Sequence, residues 1–168
     1  TGTPRIDDAT LQISKNGNLG DSSGIIKFNG GTLETTATIG MARNITLDAG
    51  GGTLSPDSGT TLSNSGIVSG SGALTKAGDG TLVLSGDNTY TGGTNLNAGT
   101  LLVGNASALG TSTLTMSDGT TFGSSDSTAY TLANAVTLNG DITLGQASGG
   151  TGAITFSNNV SLGSATRK

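Results

Sequence analysis

Two aspartates stand immediately before a glycine, in Asp79-Gly80-Thr81-Leu82 and Asp118-Gly119-Thr120-Thr121. Aligning Gly80 with Gly99 and Gly119 puts both carboxylates at the same turn of a repeating chain, two repeats apart. Stacked strands lie about 4.7 Å from one another, so the pair would be ~9.5 Å apart. That is the outer edge of the spacing used by an inverting glycosidase pair. With Tyr90 as a platform for a sugar ring, Asp79 and Asp118 form a candidate set of carbohydrate contacts, the signature of a glycoside hydrolase or polysaccharide lyase. The bland reading is stronger. Aspartate before glycine is ordinary turn chemistry, Ala98 occupies the turn between the two, and Tyr90 is better placed packing over a corner.

Other chemistry is scarce. The chain has no histidine and no cysteine, and Glu34 is its one glutamate. Ser-His-Asp catalysis is therefore excluded, as are disulfides, zinc thiolates and thiol nucleophiles. Gly78-Asp79-Gly80-Thr81-Leu82 shares a fragment with calcium-binding nonapeptide repeats, but the aspartate is misplaced and the pattern does not recur. We expect no catalytic residue, no metal site and no cofactor. Lys76 is placed to pair with Asp79 at an exposed corner, where such a pair contributes ~0–1 kcal/mol. Net charge is −4 with 7 scattered basic residues, so nothing offers the basic stripe that nucleic acid requires. No run approaches the roughly 20 apolar residues of a membrane helix.

The elements that would carry these residues are short strands. Of 168 residues 30 are glycine, while aromatics make up 3% and charged residues 11%. Too few large apolar residues are present for one thick core, and too few charges for a disordered chain. Apolar-polar alternation recurs in NITLDAGGGTL, STLTMSDGTTFG, AVTLNGDITLG and AITFSNNVSLG, beginning at residues 44, 112, 135 and 153. Period 2 marks strands with one buried face, and the glycine-closed unit returns after about 20 residues, which indicates a solenoid. The spacing predicts an all-β parallel β-helix of about eight coils, residues 1–168 forming one segment. Like residues stack in it: Leu114, Val136 and Ile154; Met116, Leu138 and Phe156; Phe122, Leu144 and Leu162. Phe28, Phe122 and Phe156 fall in inward frames. In this register Leu138→Asp damages the core and Thr137→Asp does not. Outward pairs such as Thr113 with Thr115 suggest an ice-binding face, but Ala135 and Ala153 break the array.

At residues 72–104 the pattern becomes specific: GALTKAGDGTLVLSGDNTYTGGTNLNAGTLLVG. The order of Gly72, Leu74, Lys76, Gly78, Gly80, Thr81, Leu82, Leu84, Gly86, Asn88, Thr89, Tyr90, Gly92, Gly93, Thr94, Gly99, Thr100 and Leu101 closely resembles the passenger-associated repeat of bacterial autotransporters. The resemblance implies a right-handed β-helix, secreted or displayed at the surface of a Gram-negative bacterium. It also implies an outer-membrane barrel that exports the passenger, absent from these residues, and Thr1 suggests a segment excised from a longer passenger. Adhesins, virulence toxins and proteases share this repeat, and their special activities usually lie outside it. The expected role is a non-enzymatic stalk that supports adhesion. Its expected partners are host or bacterial surface glycans or proteins, or further copies of itself, joined end to end or laterally.

Overall fold

Thr81-Leu82-Val83-Leu84 shows how the alternation is used: both leucines are buried, while Thr81 and Val83 face outward and are half-buried. Repeated along the chain, this pattern builds a parallel β-solenoid in the computed structural model, which describes residues 3–145 and 150–163. The main sheet stacks Thr10–Ile13, Thr32–Thr35, Gly52–Pro56, Leu74–Lys76, Thr94–Leu96, Leu114–Met116, Val136–Leu138 and Val160–Ser161. Eight stacked strands are separated by seven turns of chain, close to the expected eight coils. A six-stranded sheet from Ile39–Met41 to Thr143–Leu144 forms a second side. A third side begins with four strands, Arg5–Asp7 to Val68–Gly70, and resumes with the pair Tyr130–Leu132 and Ile154–Phe156. Among the described residues there is no α-helix, only one 3-10 turn at Asn16–Leu19.

The core is a set of rows running along the rod. Leu62, Leu82, Leu101 and Phe122 stack in register and are essentially inaccessible. Each buried Leu, Ile or Phe contributes about 1.5–3 kcal/mol, and its neighbours one coil away complete its burial. Outward threonines form their own row, Thr61, Thr81, Thr100, Thr121 and Thr143. This array is unbroken, unlike the one expected from sequence, because it lies on the six-stranded sheet rather than at Thr113 and Thr115.

The corners need glycine where the backbone is left-handed. Gly99 has φ +66°, and a Cβ there would lie 2.5 Å from the Gly80 carbonyl oxygen and 2.6 Å from that of Gly78. Conformation and close approach both exclude a side chain.

The predicted rows near the C-terminal end are correct for one step and shifted at the next. Leu114 pairs with Val136, and Met116 with Leu138. Val136 then pairs with Val160, not Ile154. Ile154 and Phe156 pair instead with Tyr130 and Leu132. Phe122 does pair with Leu144, but Leu162 follows Ser161 in the main-sheet coil and does not stack on Leu144. The coil contains a third strand, Tyr130–Leu132, that the shorter repeat unit concealed. Phe156 still stacks across the core on Phe122, with ring centroids 5.9 Å apart. Leu138 keeps its inward frame but is half-buried, because the strand beyond it covers only Val136 and Thr137. Thr137 is half-buried as well.

At the N-terminal end a loop closes over the solenoid, and one side chain holds it. Arg43 is 1% exposed. Its guanidinium donates to Asn16 Oδ1 at 2.6 Å, to the carbonyls of Gly20 at 2.7 Å, Gly24 at 3.2 Å and Asn16 at 3.3 Å, and to that of Asp21. The planar fork reaches all these acceptors from one position. Leu19, carried by the same loop, is buried.

Candidate functional site

The resemblance placed its most specific residues at 72–104, so the chemistry of that stretch decides whether it is a site or a scaffold. Lys76 pairs in register with Leu54 and Leu96, an inward position in a row of apolar side chains. It is fully buried. Its Nζ donates to the carbonyls of Ala77 at 2.7 Å, Gly78 at 2.6 Å and Ala98 at 3.0 Å. All three ammonium protons are thereby used on a corner that would otherwise leave carbonyls unpaired. The exposed Lys76–Asp79 ion pair expected from sequence does not form among the described residues. An inward lysine in a leucine row escapes any pattern that treats lysine as solvent-facing.

Asn88 acts across three coils. Its Oδ1 accepts from the Val68 amide at 2.8 Å, and its Nδ2 donates to the Ala108 carbonyl at 2.6 Å. The side-chain amide stands in for a peptide group where the third side has no regular strand. Tyr90 is 0% exposed. Its hydroxyl lies 2.5 Å from Thr94 Oγ1, and Thr94 in turn donates to the Leu109 carbonyl at 3.4 Å. The ring therefore offers no face to a sugar, and packing over a corner is its observed role. Lys76, Asn88, Tyr90 and Thr94 are all interior groups that satisfy the scaffold's own polar atoms.

Two buried ionisable groups of this stretch, Lys76 and Tyr90, carry shifted pKa values with opposite consequences. Burial pushes Lys76 down to about 8, against the opposing influence of the Asp79 charge. Burial also pushes the Tyr90 phenol above its ordinary value, with the Thr94 hydrogen bond acting the other way. Between pH 8 and 10 the unfolded lysine holds a proton that the folded one gives up, so stability should rise with pH by about 2 kcal/mol. Above pH 10 the unfolded tyrosine ionises while the buried one stays neutral, so stability should then fall. Urea unfolding across this range should show the rise and then the fall in wild type, no rise in Lys76→Met, and a smaller fall in Tyr90→Phe. A wild-type curve flat from pH 8 to 10 would contradict the lowered pKa of Lys76.

The two aspartates lie elsewhere. Thr81, Thr100 and Thr121 are in register, so counting back sets Asp79 level with Ala98 and Gly119. Asp118 is level with Asn97, one residue out of the alignment expected from Gly119. Both carboxylates are exposed. Asp118 Oδ1 accepts from the Asp141 amide at 2.7 Å, a turn contact between coils. Among the described residues no group of three potential metal ligands occurs.

Two of the surface clefts among the described residues are lined mainly by polar and small side chains. One, of about 510 Å³, is lined by Asn16, Ser63, Ser65 and Ser85 with small residues between them. The other, of about 340 Å³, lies over Asn88 and Asn134 where the third side lacks strands.

Residues 74–103 match the passenger-associated-transport-repeat family, within the stretch 72–104 read from sequence. The chain is also 43% identical over 102 residues to the adhesin BmaC autotransporter of Brucella suis biovar 1 (strain 1330), covering 60% of this chain. It spans about 3% of the length of that relative. No solved structure matches the chain. The buried lysine, asparagine and tyrosine at 76, 88 and 90 thus lie in the stretch that matches the passenger-associated-transport-repeat, on a parallel β-solenoid similar over part of its length to an autotransporter adhesin.

Proposed function

We propose that this chain is a structural stalk segment of a surface-displayed or secreted autotransporter passenger, and that it supports adhesion without catalysing a reaction. The observation that carries this reading is the use of the repeat's signature residues. Lys76, Asn88, Tyr90 and Thr94 are spent on internal amides, carbonyls and hydroxyls, so none of these four signature side chains is presented as a reactive group. A solenoid of parallel coils suits such a role, since each coil extends the rod by about 4.7 Å with its hydrogen bonds along the axis. The similarity to an adhesin supports the adhesive context. Surface glycans or proteins are the partners we assign to the whole passenger.

The aspartate-based alternative, cleavage of polysaccharide by Asp79 and Asp118, would need the two carboxylates to face one substrate. Their registers do not coincide. Antibodies raised against the folded chain should label intact bacteria that express the full passenger, or the passenger they release into the medium. The purified chain should release no product from polysaccharides. Failure to label, or turnover that disappears in the double Asp79→Asn, Asp118→Asn variant, would overturn the proposal.

A further inference from the structure

The cleft over Asn88 and Asn134 has features that the scaffold role does not explain. It opens where backbone pairing on the third side gives way to side-chain bridges. Asn134, 3% exposed, donates its Nδ2 to the carbonyls of Ser112 at 2.6 Å, Gly110 at 3.2 Å and Leu109 at 3.4 Å. Its Oδ1 accepts no hydrogen bond from the described residues, although the side chain lines the cleft. The exposed Asp87 carboxylate stands at the rim with Thr89, Ser107 and Thr111.

We propose that this cleft binds a neutral polyhydroxylated ligand, a single sugar ring of a glycan. The lining chemistry narrows the choice. It holds a carboxylate and an amide oxygen as acceptors, with three hydroxyls that donate or accept. No lysine or arginine lines it, so an anion would meet only the Asp87 charge. No large apolar side chain lines it either, which disfavours an apolar ligand. One carboxylate is too few for a hard cation. A ligand with several O–H donors matches Asp87 and Asn134 Oδ1, and the volume lies near the lower limit for small-ligand sites. The binding chemistry stands on the cleft alone, while its use in attachment rests on the adhesive reading above.

The test is a titration of the purified chain with glucose, galactose, mannose and N-acetylglucosamine, followed by amide NMR. At least one sugar should shift the signals of Thr89, Ser107 and Thr111 and the Asn134 side-chain amide, saturably and in the millimolar range. Asp87→Ala should weaken that binding by about tenfold. Ser85→Ala, in the other cleft, should leave it unchanged. No saturable shift with any of the four sugars up to about 100 mM, or shifts that Asp87→Ala does not weaken, would overturn the proposal. A negative titration with intact surface labelling removes the sugar site and leaves the stalk standing. Failed labelling with a positive titration does the reverse.

Discussion

Leu101→Asp should lower the stability of the solenoid by at least about 4 kcal/mol or abolish cooperative unfolding altogether. Leu101 is inaccessible and stacks between Leu82 and Phe122. A carboxylate there faces leucine on one side and an aromatic ring on the other. It has to stay protonated or force the coils apart. Because each coil contacts its neighbours, one substitution damages two interfaces. Thr100→Asp, one residue earlier, should cost less than about 1 kcal/mol, since Thr100 faces outward in the threonine row. Urea unfolding of both variants measures the difference. If Thr100→Asp proves the more harmful, the inward frame of the six-stranded sheet is wrong.

Arg43→Leu should be nearly as damaging, by about 3–5 kcal/mol, for a different reason. The substitution supplies apolar volume but leaves the carbonyls of Asn16, Gly20 and Gly24 and the Asn16 side chain without their donor, while the Asp21 carbonyl keeps the Gly24 amide. Each unpaired, partly buried carbonyl costs up to about 1–3 kcal/mol, less what water restores when the loop opens. The damage should concentrate at residues 14–25, whose amides would exchange faster. The strand Ile39–Met41, the N-terminal edge of its sheet, would then be free to pair with another chain. Arg43→Lys keeps the charge but offers three donors from one atom, so it should recover only part of the loss. Unchanged exchange at 14–25 together with a loss under about 1 kcal/mol would refute the clamp.

Both sites bear on how much of this protein was legible in its sequence. Leu101 was. Period-2 alternation is a local property, so the inward frame of Leu82, Leu84, Leu101 and Phe122 follows from the chain alone. The 72–104 pattern was equally legible, because its glycines, Asn88 and Tyr90 stand at fixed offsets along a single stretch. Arg43 was not legible. It is an isolated arginine whose acceptors lie about 20 residues earlier, and nothing local distinguishes it from a solvated cation. Lys76 was read as exposed for the same reason.

Stacking register was the other property that only the tertiary structure decided. Val136 could have been set beside Ile154 or Val160, since both lie in alternating apolar segments. The choice depends on whether Tyr130–Leu132 and Ile154–Phe156 form an extra strand in each coil, and coil length varies along this rod. Alternation states which side chains point inward. It cannot state which coil residue lies above which, because that depends on the path of the corners, where Gly99, Asn88 and Asn134 make contacts with neighbouring coils rather than with their own. The sequence therefore determined the solenoid, its inward frame and its repeat. The third dimension decided the rows, the buried cations and the one cleft whose acceptor, Asn134 Oδ1, has no protein donor among the described residues, because each of these joins residues about a full coil apart.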